Sequence, residues 1–495
     1  MKVSLGERAT VAERATAYDR RMPPPRLSAV DASFLYLEQP RTPMHVGSVG
    51  IFRAPASGFD YERLVTTVER RLVAVPRYRQ KVRHVPGELA RPVWVDDADF
   101  DVAFHVRRSA LPRPGTSAQL TELVARLMSR PLDPDRPLWE VYLVEGLADG
   151  RFAIITKTHQ AMVDGVTTID MGQVLLDPTP SPREVPDELW MPRPEPTDAR
   201  LVVDAVAEAI ARPGQVVDVV RATTNDALAV AARLARGVGG LVGTVVTGGR
   251  LAPGSPLNVA LSTQRRFAVV RGDLAAYREI RTAHGCTVND VVLTVVTGAL
   301  RAWLLARGEP VTSTRRMRAM VPLWVSGADA PADDGRVLST LVDLPVGEQS
   351  PALRLQHVAH AMREHTAGNR SVRADTLARI GGYAPPTLHA LGARAVSGIS
   401  KRIFNLVVTN VPGPQVPLYA AGARMLETYP VVPLADGQGL AVGITSYDGG
   451  LFYGFTADRD ALPDVDVLAA TVDEAFEELR ATVHMKDGGH TEDGG

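Results

Sequence analysis

A histidine and an aspartate stand five residues apart in a polar turn that follows a predicted buried strand at residues 151–158. The turn contains His159, Gln160, Asp164 and Gly165. An imidazole titrates near neutral pH, so His159 is a candidate general base, and Asp164 is a candidate to orient it or to hold the turn through an arginine. Gly165 allows a sharp backbone turn. The spacing alone is most often that of a strand-end turn in which both side chains only satisfy hydrogen bonds, but it also allows proton-transfer chemistry.

Length and composition predict a globular protein of two domains with extensions. The chain has 495 residues, 45% hydrophobic and 22% charged. Its formal net charge of −1 gives no indication of a polyanion-binding surface, so we do not expect nucleic acid as a partner. The single cysteine, Cys286, excludes an internal disulfide and a cysteine-rich metal site, and we expect no metal and no cofactor. Residues 1–26 lack a signal-peptide pattern and no apolar run reaches about 20 residues, so we expect a cytoplasmic protein without a transmembrane helix.

The chain divides into five predicted segments. They are a disordered extension (1–25), a first mixed α/β domain (26–178), a proline-rich linker with a helical crossover (179–255), a second mixed α/β domain (256–484) and a polar tail (485–495). The amphipathic helices predicted within 199–236 either cover the domains or present an apolar face to lipid. Local patterns predict helices at 61–72, 119–128, 273–284, 291–306, 353–365 and 465–479, strands at 99–106 and 265–270, and a hairpin of 440–445 with 451–456.

Several blocks resemble, in order, those of one enzyme family. Before and at the turn the chain reads PLW, LVEGL and HQAMVDG, and elsewhere it reads PMHVG (43–47), TVND (287–290) and TNVPGP (409–414). These blocks are similar to those of the wax ester synthase / acyl-CoA:diacylglycerol acyltransferase family, within the coenzyme-A-dependent acyltransferase superfamily. The resemblance runs from residue 27 to about residue 483. It implies two chloramphenicol-acetyltransferase-like mixed α/β domains with an active-site tunnel between them.

The resemblance also implies site residues. His159 and Asp164 correspond to catalytic positions of the HHxxxDG motif, and Gln160 and Gly165 belong to the same motif. Asn289 and Asp290 fall in TVND, where a helix cap at Thr287 explains the pair equally well. His45, in the PMHVG block, is interpreted as a packed strand histidine.

Gln160 departs from the family pattern. With Asp164 and Gly165 aligned, the second histidine of the motif, taken as the general base in the family, falls on Gln160. A glutamine amide positions a hydroxyl but cannot accept its proton at neutral pH. Neighbouring strand residues point to opposite faces, so His159 replaces its neighbour only if the strand end twists or bulges.

The implied function is transfer of a fatty acyl group from acyl-CoA, as co-substrate, to a hydroxyl acceptor. The acceptor is diacylglycerol, giving triacylglycerol, or a long-chain alcohol, giving a wax ester, and it arrives from a membrane or lipid droplet that the protein contacts peripherally. A catalytically weakened relative that binds acyl chains or regulates a partner remains open. A carrier-protein-dependent condensation module is disfavoured by the free-standing chain with its PLW, PMHVG and TVND blocks.

Overall fold

The computed structural model of the protein describes residues 24–163, 171–185, 190–211, 251–325, 336–367, 372–373 and 403–488. Its helices are α1 (Ala29–Leu37), α2 (Tyr61–Arg71), α3 (Val102–His105), α4 (Ser117–Met128), α5 (Met171–Leu175), α6 (Asp198–Ala211), α7 (Leu274–His284), α8 (Val288–Ala306), α9 (Pro351–Ala367) and α10 (Val465–Gly488). Its strands are β1 (His45–Arg53), β2 (Gln80–Arg83), β3 (Val93–Asp96), β4 (Val106–Ala110), β5 (Trp139–Glu145), β6 (Arg151–His159), β7 (Leu176–Asp177), β8 (Arg265–Asp273), β9 (Met317–Val325), β10 (Arg336–Leu344), β11 (Val372–Arg373), β12 (Leu406–Pro412), β13 (Tyr419–Ala420), β14 (Ala423–Val431), β15 (Leu440–Tyr447) and β16 (Gly450–Asp458).

Two mixed seven-stranded sheets form the framework. One has the order β4-β5-β6-β1-β14-β13-β7 and the other β11-β10-β9-β12-β15-β16-β8, while β2 and β3 make a small ribbon. Helices α8 and α10 pack together against the second sheet. Each sheet contributes to a large hydrophobic core, and the core around the first sheet also includes Phe267, Tyr447 and Phe452 from the second. The predicted α/β fold class is confirmed, since both sheets combine parallel and antiparallel pairs with covering helices.

The central strand pair of the first sheet sets the register of the site. Strands β1 and β6 run antiparallel with His45 opposite His159 and Gly47 opposite Lys157. Strand β6 is buried along almost its whole length, as its apolar sequence predicts. The two imidazoles therefore lie opposite each other where β1 begins and β6 ends.

The two halves of the chain meet at β14. This strand comes from the second half but pairs with β1 in the first sheet, with Val431 opposite Gly47. A Cβ atom at Gly454 would lie 2.0 Å from the Pro430 carbonyl oxygen, and one at Gly443 would lie 2.9 Å from the Pro430 Cβ. Glycine in β15 and β16 thus allows β14 to cross closely over the second sheet.

Most local predictions are confirmed with small changes of boundary. The hairpin of β15 and β16 turns at Asp448 and Gly449, which both have positive φ, 43° and 81°. The strand predicted at 99–106 is wrong: residues Val102–His105 form α3, because the Asp101 carboxylate accepts the Ala103 N–H and caps it, and β4 starts only afterwards. Helix α10 runs to Gly488, nine residues past its predicted end and into the predicted polar tail.

The predicted segment boundaries stay predictions. The extension 1–25 is described only at its last two residues, and most of the crossover lies outside the described residues, apart from α6. Strands β13 and β14 belong to the first sheet although they fall within 256–484. Helix α8 is long and apolar enough to span a membrane, but 72% of its apolar window is buried in the protein, as expected of a core helix.

Candidate active site

The end of β6 and the start of β1 bring His159 and His45 together. Their ring centroids are 6.1 Å apart in an edge-to-face arrangement, and the two residues are 1% and 2% exposed. His45 is a buried strand residue, as interpreted from the sequence. Its position across the ladder from His159 was not foreseen, because strand pairing between residues so distant in the chain has no local signal.

Glu38 lies between the two imidazoles. Its Oε1 is 3.3 Å from His45 Nε2 and its Oε2 is 3.5 Å from His159 Nε2, which are close polar contacts rather than hydrogen bonds of good geometry. The Met44 N–H also donates to Oε1, at 3.1 Å. Burial raises the pKa of Glu38, but the N–H groups of His159 and then His45 outweigh it and hold this pKa well below its usual range. Glu38 is therefore a carboxylate at any physiological pH.

His159 is hydrogen-bonded through Nδ1, whereas its Nε2 lies close to Glu38 without forming a hydrogen bond to a described residue. Its Nδ1 accepts the backbone N–H of Ala161 at 3.0 Å, so the neutral ring carries its proton on Nε2, facing Glu38. A general base needs a free lone pair within reach of the substrate hydroxyl. The described geometry gives His159 a structural task at the turn, and its predicted catalytic role stays a prediction.

Gln160 begins the short 3₁₀ turn Gln160–Met162 directly after β6. Its backbone N–H donates to the Met44 carbonyl at 2.8 Å. The side chain is half-buried, and across the part of the chain that the structure describes no residue bonds to its amide. Gln160 thus offers one acceptor oxygen and an NH₂ donor to a bound molecule.

A buried lysine contributes to the electrostatic environment of the imidazoles. Lys157 donates from Nζ to the Leu127 and Arg130 carbonyls at 3.1 and 2.6 Å, and Nζ lies 3.6 Å from a Glu140 oxygen. Burial lowers the pKa of Lys157 to about 8 despite the attraction of Glu140. Burial likewise lowers the pKa of His45 to about 4, so that ring is neutral at pH 7.

Asn289 and Asp290 have different partners at the start of α8. Asp290 and Thr287 form a reciprocal capping box, with bonds of 2.8 and 3.1 Å between each side chain and the other's backbone N–H. Asn289 accepts a hydrogen bond of 3.0 Å from the Asn410 side chain. The TVND and TNVPGP blocks are thus in contact, and Asp290 serves the cap that the sequence predicts.

Asp164 and Gly165 lie outside the described residues, so their predicted roles stay predictions. Within the ranges that are described, no group of three His, Cys, Asp or Glu side chains is arranged to hold a metal ion.

Two family models match the chain. The wax ester synthase/diacylglycerol acyltransferase catalytic domain matches residues 27–292, and the C-terminal domain of the same family matches residues 336–480. The chain belongs to the wax ester synthase/diacylglycerol acyltransferase family. The family predicted from the sequence blocks is therefore confirmed.

Relatives and a solved structure of the family match over half or more of the chain. The probable diacylglycerol O-acyltransferase tgs2 of Mycobacterium tuberculosis is 35% identical over 469 residues, covering 92% of this chain and 98% of the relative. The probable diacylglycerol O-acyltransferase tgs3 of the same species is 48% identical over 264 residues, covering 53% of this chain and 97% of the relative. The wax ester synthase/diacylglycerol acyltransferase structure from Marinobacter aquaeolei VT8 matches with a TM-score of 0.67 and 28% identity, over 93% of this chain and 100% of that chain.

Proposed function

We propose that the protein transfers a fatty acyl group from acyl-CoA to the hydroxyl of diacylglycerol, with long-chain alcohol as a second acceptor. The observation that carries the proposal is the family match across both halves of the chain, with relatives named for diacylglycerol acyl transfer. These names favour an enzyme over a relative that only binds acyl chains. The turn at Gln160 supplies the polar groups that such a reaction needs at its centre.

Gln160 is proposed to face the acceptor hydroxyl, at the place of the second histidine of the family motif. Its side-chain oxygen accepts the hydroxyl hydrogen bond while its NH₂ donates to the carbonyl oxygen that becomes negative. The hydroxyl oxygen then bonds to the acyl carbon, the C–S bond breaks, and the proton ends on the coenzyme A thiolate. The amide aligns the reactants but takes no proton, so its contribution is positioning.

The reaction is proposed to need no metal or cofactor beyond acyl-CoA itself. A thioester already has a good leaving group, and the two substrates meet without a covalent acyl-enzyme. Asp164 and Gly165 are proposed to complete the turn after Gln160. Asn289, held by Asn410, is proposed to contact substrate in the tunnel between the halves.

Contact with a membrane or lipid droplet is also proposed, for a protein of the cytoplasm. Helix α6 buries Leu201 and Ala205 but exposes Val203, Val206 and Ile210, by 61%, 48% and 72%. These three lie at i, i+3 and i+7, which aligns them on one face. Such a stripe suits the surface from which an apolar acceptor is taken.

Purified protein with labelled acyl-CoA tests the proposal, with diacylglycerol, long-chain alcohol or no acceptor added. We expect labelled triacylglycerol as the main product, a wax ester at a lower rate, and slow release of free fatty acid without acceptor. Saturable binding of acyl-CoA with no ester from either acceptor would contradict the proposed activity. For the lipid surface, Val206→Glu with Ile210→Glu is expected to reduce sedimentation with anionic vesicles, while turnover of a detergent-dispersed acceptor persists.

A further inference from the structure

We propose that Glu38 is a positioning residue of the site, which holds His45, His159 and the turn at Gln160 in one arrangement. This inference rests on the proposed function, in which Gln160 meets the acceptor hydroxyl. Glu38 lies in the segment 27–52, which resembles the opening block of the family, but the sequence assigns it no chemistry, and its task follows only from where its carboxylate lies.

The location of Glu38 indicates a specific role. It occupies the C-cap of α1, with its N–H bonded to the Phe34 carbonyl at 3.1 Å. A helix C-terminus repels a carboxylate, because the last carbonyls carry partial negative charge. The Met44 N–H donates to this carboxylate, and the Nε2 atoms of His45 and His159 lie 3.3 and 3.5 Å from its two oxygens. A carboxylate kept at this unfavourable place and set between two imidazoles points to a role beyond ending the helix.

Two chains of contacts lead from Glu38 to Gln160. The first runs from Oε2 to His159 Nε2, and from His159 Nδ1 to the Ala161 N–H inside the turn. The second runs from Oε1 to the Met44 N–H, and from the Met44 carbonyl to the Gln160 N–H at 2.8 Å. Helix α1 itself packs against the turn. One carboxylate therefore fixes both the entry to the turn and its first residue.

The two imidazoles respond differently to loss of the carboxylate. His45 has no hydrogen-bond partner at either ring nitrogen among the described residues, so its ring can change tautomer and accept from an amide at position 38. His159 cannot change tautomer easily, because its Nδ1 lone pair already accepts the Ala161 N–H. In Glu38→Gln the new NH₂ group faces the His159 N–H in one orientation and the Met44 N–H in the other, so a donor meets a donor either way.

Glu38→Gln is the direct test, and Glu145→Gln is the matched control. The two glutamate side chains are equally exposed, at 30%, and each is paired with basic groups, but Glu145 pairs with Arg108 at the far end of β5. We expect Glu38→Gln to lower kcat by about 10- to 100-fold with KM for acyl-CoA within about threefold, since misplaced reactants slow the chemical step. Glu145→Gln should stay within about twofold of wild type. A kcat of Glu38→Gln within about threefold of wild type would overturn the proposal.

A double-mutant cycle tests the route through His159. His159→Asn keeps an acceptor for the Ala161 N–H but has no Nε2 to meet Glu38. Adding Glu38→Gln in that background should therefore cost much less kcat than it does in wild type. Equal losses in both backgrounds would refute the route. If Glu38→Gln does not fold, Glu38→Asp replaces it, because the shorter carboxylate keeps the charge but cannot span both rings, and undiminished kcat there would overturn the proposal.

Imidazole N–H signals test the arrangement without turnover. We expect the wild type to show water-protected Nε2–H resonances for His45 and His159, each assigned by its absence in the His45→Gln or His159→Asn variant. Both should shift or vanish in Glu38→Gln and persist in Glu145→Gln. If wild type transfers no acyl group, the proposed function fails while these signals still decide the role of Glu38. If wild-type protein shows neither Nε2–H resonance, the proposed role of Glu38 is wrong.

Discussion

Two substitutions at His159 separate an imidazole that holds the turn from one that accepts a proton. Asparagine places an oxygen near the position of Nδ1, so His159→Asn retains the acceptor for the Ala161 N–H and has no titratable ring. His159→Ala loses the acceptor and the ring together. If the imidazole were the base, both variants would lose general-base catalysis, about 10²- to 10⁴-fold in kcat.

The contacts set the size of the effects. In His159→Ala the buried Ala161 N–H loses its partner, at a cost of about 1–3 kcal/mol. The vacated space beside a ring that is 1% exposed adds a cavity cost, for a total of about 3–5 kcal/mol. His159→Asn avoids the first cost and should lose about 1–2 kcal/mol. The expected order of melting temperature is wild type, then His159→Asn, then His159→Ala.

Turnover of labelled acyl-CoA with diacylglycerol decides between the roles. We expect His159→Asn to keep kcat within about tenfold of wild type, because only the contact with Glu38 is lost. His159→Ala should fall further, together with its melting temperature. If folded His159→Asn loses as much as His159→Ala, about 10²-fold or more, then the imidazole reacts and our assignment of a structural role is wrong.

Three further predictions concern Gln160, Lys157 and the contact between Asn289 and Asn410. Gln160→His should raise kcat about tenfold or more, because it places a titratable ring at the turn. The rate of this variant should fall as pH drops below about 6.5, where the new imidazole is protonated. A pH–rate profile like that of wild type would show that position 160 does not face the hydroxyl. The pKa of Lys157 is about 8 in the native protein and 10.5 ordinarily. Between these two pH values the unfolded chain holds a proton that the native protein has lost, so the free energy of unfolding rises by about 3 kcal/mol as pH increases from 8 to 10.5. Denaturant unfolding at both pH values should show this gain in wild type and not in Lys157→Met. Asn289→Ala and Asn410→Ala break the same hydrogen bond, so in thermal unfolding the double variant should lose about 1 kcal/mol less than the sum of the singles, and additive losses would contradict the contact.

The structure changes the interpretation of the motif more than that of the fold. From the sequence, His159 was the sole imidazole of the turn and so the favoured base. The structure gives it a hydrogen bond from Ala161 and a close contact with Glu38, whereas no residue in the described ranges bonds to the neighbouring amide of Gln160. A residue that reacts must keep an unoccupied group toward the substrate, and this criterion depends on contacts rather than on residue type.

The sequence by itself determined what local physics controls. The capping box at Thr287 and Asp290, the hairpin at Asp448 and Gly449 and the buried strand ending at His159 were all predictable, because caps, turns and apolar runs depend on residues a few positions apart. Where two local signals competed, prediction failed: the Asp101 cap started a helix inside an expected strand.

Only the tertiary structure decided which distant residues meet. Glu38 and His159 converge because α1 packs on the turn and β1 pairs with β6 in one register, and Asn289 reaches Asn410 across 121 residues of chain. Strand β14 joins the first sheet because glycines in β15 and β16 let it approach. Such contacts are set by the free energy of packing whole elements, which is spread over both hydrophobic cores and leaves no signal at the residues that come together.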